Sequence, residues 1–272
     1  MRAAALLLAA LAWPAQAAWT WSEPLTVNSV QGAAIFPHLE SANRQGVAVS
    51  GGTVGVVWED NRSGSPQCYL ATKPAAAVAF QPEVRLSKNE CYEPVVLALG
   101  AGRFVAAWEE AGTVHARMMP AGKTLQLSKS GAAQVTLARG GDTLYAAWAE
   151  QAGRFKRIVV AGLALKGDTL SVKSSQPVEA AMPTDEQGWP ALAVAGDGSV
   201  TVAWEDRRHH HTVPMVSHGR DGKSFAPPAR LIDHKSGSVD GLGAGMGTMR
   251  PTLTAWGEQG IAAAWLDKRD FL

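Results

Sequence analysis

The sequence predicts an all-β protein folded as a β-propeller of four-stranded blades. Three observations lead to this fold class: one unit recurs along the chain, the copies contain hairpin signals, and no segment keeps helical periodicity over a helix length. The repeat is clearest at five tryptophans, each of which ends a run of small or β-branched residues: Trp58, Trp108, Trp148, Trp204 and Trp265. Repeated units of this kind bury a shared core by stacking on one another.

The first two strands of each copy form a predicted hairpin. A proline stands fourteen positions before the tryptophan at Pro94, Pro190 and Pro251. Gln134 takes that place in the third copy, and the first copy is longer and starts at Pro37. The stretch PALAVAGDGSVTVAW alternates apolar and polar residues on both sides of a Gly-Asp-Gly turn, which is the pattern of a β-hairpin.

Third and fourth strands follow in the better copies. QCYLAT and FQPEVRLS come after Trp58, and TVPMVS and FAPPARLI come after Trp204. The unit is therefore a four-stranded meander of roughly 40 to 60 residues, which is the period of a propeller blade.

The two ends of the chain bear on how the propeller closes. The stretch WSEPLTV, residues 21–27, resembles the outermost strands, so we expect the chain to begin with a fourth strand that it lends to the last blade. The fifth copy stops at Leu272, just after its second strand. Five blades are visible with the last one incomplete, the domain is predicted to be C-terminally incomplete, and a total of six blades is the alternative.

The N-terminal residues 1–17 read as a signal peptide. They contain one early positive charge at Arg2, an apolar run, and a small-x-small ending at Ala15-Gln16-Ala17. The apolar run is about half the roughly 20 residues that a membrane span needs. We expect a cut near Ala17, a secreted or periplasmic mature chain without a transmembrane span, and a propeller domain over residues 18–272.

Charge and cysteine content narrow the classes of partner. The chain has 25 Lys and Arg against 24 Asp and Glu and no basic run, so nucleic acid is not an expected partner. The two cysteines, Cys68 and Cys91, are predicted to form a disulfide in an oxidising compartment, and two buried free thiols are the alternative.

One turn carries a family resemblance. The sequence SHGRDGKSF at 217–225, together with x-Pro strand starts and W-x-D-x-R strand ends, resembles the sialidase-like propellers with Asp-box repeats. The resemblance implies a propeller over nearly the whole mature chain. The family's catalytic set comprises three arginines, a Tyr-Glu pair and an Asp acid, and its members are glycoside hydrolases with six blades.

Propeller topology predicts where a site would lie. Residues after each tryptophan and residues before each proline meet on one face of the disc, because both belong to connections at the same end of the blades. The repeated W-x-D-x-R residues are interpreted as structural, with the indole between blades and Asp paired to Arg. Non-repeated residues on this face are the better ligand-binding candidates. The candidates are Trp189, His38 and Arg250, together with Arg208 from the strand end of the fourth copy.

Catalysis has weaker support from the residues. The candidates, drawn from the same face and from the resemblance, are Asp206, Glu93, Tyr92 and Arg250. Only three tyrosines occur, and Tyr92 and Glu93 are adjacent, whereas a sialidase draws its Tyr-Glu pair from distant strands. A full sialidase site is therefore not assembled from this sequence.

The run of three histidines at 209–211 and the long loop 233–249 also belong to this face. We expect no metal and no cofactor, and we interpret the histidines as an exposed polar turn. Zn or Cu ligation by His209 and His211 is the alternative. The glycine-rich loop is either a binding edge or a solvated spacer.

Two functions follow from these observations. The preferred one is an exported, non-catalytic propeller that binds a glycan or a protein through its loop-rich face. The alternative is a glycoside hydrolase of the sialidase-like type, such as an exo-sialidase. The binding function is preferred because one fold hosts many activities.

Overall fold

The computed structural model describes residues 22–30, 32–38, 45–208, 212–232 and 248–267, and the regular structure in these residues consists of β-strands. The strands form four four-stranded sheets and one two-stranded sheet, all antiparallel and all in chain order within the sheet. The part of the chain described here contains no helix that is long and apolar enough to span a membrane. The predicted class, a propeller of four-stranded blades, is confirmed.

The blades follow one another along the sequence. Blade one comprises β1 (Val47–Ser50), β2 (Thr53–Asp60), β3 (Gln67–Pro74) and β4 (Val84–Arg85). Blade two comprises β5 (Cys91–Gly100), β6 (Arg103–Glu110), β7 (Thr113–Met119) and β8 (Thr124–Gln126). Blade three comprises β9 (Ala132–Gly140), β10 (Thr143–Ala152), β11 (Phe155–Lys166) and β12 (Thr169–Pro177). Blade four comprises β13 (Gln187–Val194), β14 (Val200–Asp206), β15 (Val213–Gly219) and β16 (Ala229–Arg230), and blade five has β17 (Thr248–Trp256) and β18 (Gly260–Asp267).

The innermost strands β1, β5, β9, β13 and β17 pack side by side in that order. Gln45, just before β1, crosses to blade three, where its side-chain amide exchanges hydrogen bonds of 2.6 and 3.0 Å with the Leu137 backbone. The innermost strands therefore converge on a narrow axis instead of a wide channel.

The core lies between consecutive blades, in apolar clusters that join blades one to four. Trp108, Trp148 and Trp204 are fully buried, and each faces the blade that precedes its own in the chain. Gly55 shows how close this packing is, since a Cβ built there would lie 2.9 Å from the Phe104 ring of blade two. The structural interpretation of the repeated tryptophans is confirmed for these three blades.

Cys68 on β3 and Cys91 at the start of β5 form a disulfide, as predicted. Both side chains are fully buried in the cluster between blades one and two. The bond links two consecutive blades, and its two cysteines are 23 positions apart in the sequence.

The N-terminal segment lies against blade one. The described residues 22–30 form no strand and do not pair with blade five. Val27 instead packs against Trp58 and Tyr69 on the outer face of blade one. The Ser29 hydroxyl lies 2.6 Å from a carboxylate oxygen of Glu83. The described residues 22–27 are not paired as a strand, and they cover the apolar face that Trp58 presents. Their loan to the last blade stays a prediction.

Candidate functional site

The candidate site is built from the residues that open the innermost strands. Glu93, Gln134, Trp189 and Arg250 each adopt a left-handed backbone, with φ between 51° and 63°. Three of them precede a proline, where the helical region of the backbone is disfavoured. Residues with side chains adopt positive φ uncommonly, and the surrounding structure must hold them there.

Carboxylates of the preceding blade hold these strand starts. Each carboxylate belongs to the glutamate that directly follows a repeated tryptophan. The three hydrogen bonds run from Glu93 N to Glu59 Oε2 at 2.9 Å, from Gln134 N to Glu109 Oε2 at 3.1 Å, and from Arg250 N to Glu205 Oε1 at 2.7 Å. Consecutive blades are thus joined at one face of the disc.

At the junction between blades three and four, a glutamine side chain takes the place of the glutamate as the acceptor. Ala149 stands where blades one, two and four have glutamate, so this position supplies no carboxylate. The Trp189 N–H donates instead to Gln134 Oε1 at 2.8 Å. We call the resulting set of residues the central rim: Glu59, Glu93, Glu109, Gln134, Trp189, Glu205 and Arg250.

Two carboxyl groups of the central rim are partly withdrawn from water. Burial raises the pKa of Glu59, and the backbone N–H of Glu93 and the nearby His38 only partly oppose this. Burial also raises the pKa of Glu109, opposed in part by the Gln134 N–H and by Lys156. The charge of Glu109 further raises the pKa of Glu59, so the two groups lie close enough to repel each other.

Tyr92 stands beside this pair of glutamates and is partly exposed. Its hydroxyl donates to Glu90 Oε2 at 3.3 Å. Burial raises the pKa of Tyr92, and the charges of Glu90, Glu59 and Glu109 raise it further. The phenol is therefore held protonated and can act as a hydrogen-bond donor.

Trp189 and Arg250 come together on the opposite side of the central rim. The Arg250 guanidinium lies 3.2 Å from the centroid of the Trp189 ring, in a cation–π arrangement. Arg250 Nε is also 4.0 Å from Glu205 Oε1. The two ligand-binding candidates thus form one unit, in which the guanidinium covers one face of the indole.

Arg208 and Asp206 are held in a buried network of hydrogen bonds and ion pairs. The Asp206 carboxylate is buried and accepts hydrogen bonds from Trp204 Nε1 at 3.0 Å and from the Arg208 guanidinium, which also pairs with Glu179. Because every Asp206 oxygen is occupied by such bonds, this arrangement argues against a catalytic role for it. The same arrangement recurs in blade one, where Asp60 holds Trp58 and Arg62.

The remaining candidates are more scattered. His38 is exposed and lies 3.9 Å from Glu59 through its Nδ1. His209 and His211 lie outside the described residues, as do positions 233–247 of the long loop. Within the described ranges, no group of three His, Cys, Asp or Glu side chains could hold a metal ion.

Sequence reasoning did not assign a role to two features of this site. Gln134 was visible as the residue that replaces proline in copy three, but its bond to the next blade was not foreseen. The glutamates that follow Trp58, Trp108 and Trp204 were placed on this face without a partner. The available signal was that copies three and five have Ala149 and Leu266 at the position where the other three copies have glutamate.

Comparison with known proteins gives a fold but no assigned activity. No family model matches the chain, and no curated protein matches it. An α-L-arabinanase of Penicillium chrysogenum, solved with arabinobiose, is similar with a TM-score of 0.52 and 11% identity over 78% of this chain and 71% of that one.

Two further solved structures are more distant. An α-L-arabinofuranosidase of Podospora anserina has a TM-score of 0.46 at 11% identity, over 78% of this chain and 72% of that one. An intramolecular trans-sialidase of Ruminococcus gnavus has a TM-score of 0.44 at 10% identity, over 70% of this chain and 44% of that one. At these identities the likeness shows a shared propeller fold, and the arabinanase, at a TM-score of 0.52, is the match that carries it.

Proposed function

We propose that this protein is an exported, non-catalytic propeller that binds a glycan through its central rim. The observation that carries the proposal is the stacked pair of Trp189 and Arg250 beside Glu205. An aromatic surface next to a few fixed polar groups is the usual make-up of a small-ligand site. These two side chains have no counterpart in the other blades, whereas the scaffold residues repeat.

The chemistry of the unit suits a sugar. The indole edge offers an apolar surface to the C–H groups of a pyranose or furanose ring. The Arg250 guanidinium donates hydrogen bonds to ring hydroxyls, and the Glu205 carboxylate accepts them. A propeller of similar fold is an arabinanase solved with arabinobiose, which supports a saccharide over a protein as the ligand.

Export rests on two observations. Residues 1–17 have the composition of a signal peptide. The disulfide between Cys68 and Cys91 belongs to an oxidising compartment. Together they support a secreted or periplasmic location.

A glycan array followed by titration calorimetry tests the binding proposal. We expect Trp189→Ala to weaken glycan binding by roughly tenfold or more, on the scale of a central aromatic anchor. Trp256→Ala is the matched control, because Trp256 is 75% exposed at the hairpin between β17 and β18, at the far end of the innermost strand from Arg250.

The melting temperature of Trp189→Ala should stay close to that of the wild-type protein. Equal glycan affinity in the wild-type protein and in Trp189→Ala would contradict the proposal. A protein that binds no saccharide but captures a protein partner through the same face would assign the rim to protein recognition instead.

A second candidate function, glycoside hydrolysis, is favoured by Glu59 and Glu109. Most glycoside hydrolases use two carboxyl groups, one of them held protonated as the general acid. Burial raises the pKa of both Glu59 and Glu109, which is the shift that such an acid needs. Tyr92 adds a proton donor beside them.

An assay with a panel of aryl glycosides decides between the two functions. Turnover that is lost in both Glu59→Gln and Glu109→Gln, but kept in Glu23→Gln at an exposed position, would establish the hydrolase. Glutamine keeps an oxygen that can accept the backbone N–H of the next blade, so folding should survive. Absence of turnover in the wild-type protein, with glycan binding intact, supports the non-catalytic function.

A further inference from the structure

A pocket lies between blades two and three. It is on the same face of the disc as the central rim but beside the outer strands. Its volume is about 360 Å³, within the range of small-ligand sites. The polar side chains that line it are Ser128, Lys129, Glu150, Arg157, Ser175 and Gln176. No residue of the central rim contributes to it, so its function is independent of the one proposed there.

Arg157 is the unusual member of this lining. Its Nε is buried and has no hydrogen-bond partner among the described residues. The ion pairs found within the described ranges do not include Arg157 either. A buried donor without an acceptor is unfavourable, because it has lost its hydrogen bond to water and has no acceptor in the protein to replace it.

Comparison with the other blades shows that a cation is not required at this position. Arg157 lies directly across from Glu150 in the pairing of β10 with β11. The residues across from the equivalent carboxylates are Gln67 in blade one, Thr113 in blade two and Val213 in blade four. These three residues are neutral. Gln67 accepts hydrogen bonds from Arg85 and Ser87, and the Thr113 hydroxyl donates to the backbone carbonyl of Glu110.

The charges around Arg157 favour an anion. Glu150 is the one carboxylate that lines the pocket, and its Oε2 already accepts the indole N–H of Trp148 at 3.1 Å and the backbone N–H of Lys129 at 3.3 Å. The exposed Lys129 adds a second positive charge. Two cations and one carboxylate leave the pocket with an excess positive charge.

We propose that this pocket binds the carboxylate of an acidic monosaccharide. The planar guanidinium of Arg157 matches the two oxygens of a carboxylate, and such bidentate pairs are stronger than bonds between neutral groups. Lys129 supplies the second cation, and the Ser175 hydroxyl can bond to a ring hydroxyl. A phosphate also fits the guanidinium fork, but a carboxylate is preferred because its single negative charge matches the one excess positive charge of the pocket.

Titration calorimetry of the full chain with sodium D-glucuronate tests the proposal, at constant ionic strength. We expect binding of glucuronate and no binding of D-glucose, which lacks the carboxylate. Arg157→Gln should weaken glucuronate binding by roughly tenfold or more, and Arg157→Lys, which keeps the charge but not the fork, should lie between the two. Arg154→Gln is the matched control, since it removes the same charge three positions away, from an exposed residue outside the pocket lining.

Thermal melting separates a binding role from a structural one. Without ligand, Arg157→Gln should melt no lower than the wild-type protein, because its Nε has no bond to lose among the described residues. A marked fall in melting temperature would assign Arg157 to the scaffold and overturn the proposal. Equal weakening by Arg154→Gln, or binding of sodium sulfate in place of glucuronate, would overturn it as well.

Discussion

At the scale of single residues, the repeated unit is a tryptophan paired with the carboxylate two positions later. The indole N–H donates to that carboxylate in four blades, at distances between 2.8 and 3.1 Å. Both side chains point to the same face of the strand, because residues two apart share a face. The pair therefore buries a large aromatic group and satisfies its one polar atom at the same time.

Trp204→Ala should be strongly destabilising. The ring is fully buried between blades three and four, and its removal leaves a cavity and takes a donor away from Asp206. We expect a loss of about 3 to 5 kcal/mol in the free energy of unfolding, measured by urea denaturation. The exposed Trp256→Ala should change it by less than about 0.5 kcal/mol. Similar values for the two variants would refute the structural role of the repeated tryptophan.

Glu83 should make stability depend on acid pH. Burial alone would raise the pKa of Glu83, but hydrogen bonds from Ser29 and Arg62 outweigh it and lower the pKa to about 2. The stabilisation is therefore fully present above the unfolded-state pKa, near 4.5, and is lost as the pH falls through the folded-state value.

Urea denaturation between pH 7 and pH 2 measures this effect. Glu83→Gln should lose less stability on acidification than the wild-type protein, because it has no proton to gain. Glu23→Gln, at an exposed position, should follow the wild-type curve. Parallel curves for the wild-type protein and Glu83→Gln would show that the interaction with Arg62 does not contribute to stability.

At the scale of elements, a recurring hydrogen bond joins consecutive blades near the start of the inner strands β5, β9, β13 and β17. A side chain accepts the backbone N–H of a residue with positive φ, which fixes the angle at which the next blade begins. Three of these acceptors are glutamates, and the fourth is Gln134. The loop-rich face is thus also the face on which the blades are tied together.

Gln134→Ala should destabilise the junction between blades three and four. It leaves the Trp189 N–H without its 2.8 Å acceptor, and we expect a loss of about 1 to 3 kcal/mol in the free energy of unfolding. The double variant Gln134→Ala with Ala149→Glu should recover part of that loss, because it introduces the glutamate that blades one, two and four use. Urea denaturation of the single and double variants measures both effects, and no recovery would mean that the junction depends on Gln134 for another reason.

At the scale of the whole molecule, burial is uneven among the blades. The apolar clusters lie between blades one and two, two and three, and three and four, with a smaller one on the outer face of blade one. The described residues of blade five belong to none of these clusters. Its two strands are largely exposed, and Trp256 is the clearest example.

Amide hydrogen exchange should therefore follow position in the propeller. We expect residues 248–267 to exchange fastest among the strands and β10–β11 of blade three to exchange slowest, since local opening is easiest where few apolar contacts are broken. Mass spectrometry of peptides from the two regions measures the difference. Equal protection of the two regions would show that blade five is held by contacts other than the apolar clusters described here.

Much of this architecture could be predicted from local pattern. Hairpin turns, apolar alternation and the five tryptophans were enough for the blades and for the face on which the loops meet. The pairing of Cys68 with Cys91 was predicted from their number and from the expected export of the chain. The position of residues 22–30 could not be predicted, because their resemblance to a fourth strand was a local likeness, whereas their contacts depend on the apolar surface that Trp58 and Tyr69 form on blade one.

The site depended more heavily on tertiary structure. Sequence alone identified Trp189 and Arg250 as exceptions to the repeat, since an exception is visible wherever the repeat is regular. Their stacking could not be predicted from the sequence, because most of blade four lies between the two residues along the chain. They meet only because the innermost strands β13 and β17 pack side by side. The Arg157 Nε without a hydrogen-bond partner among the described residues is likewise a tertiary property, because it depends on which groups the fold brings around that atom.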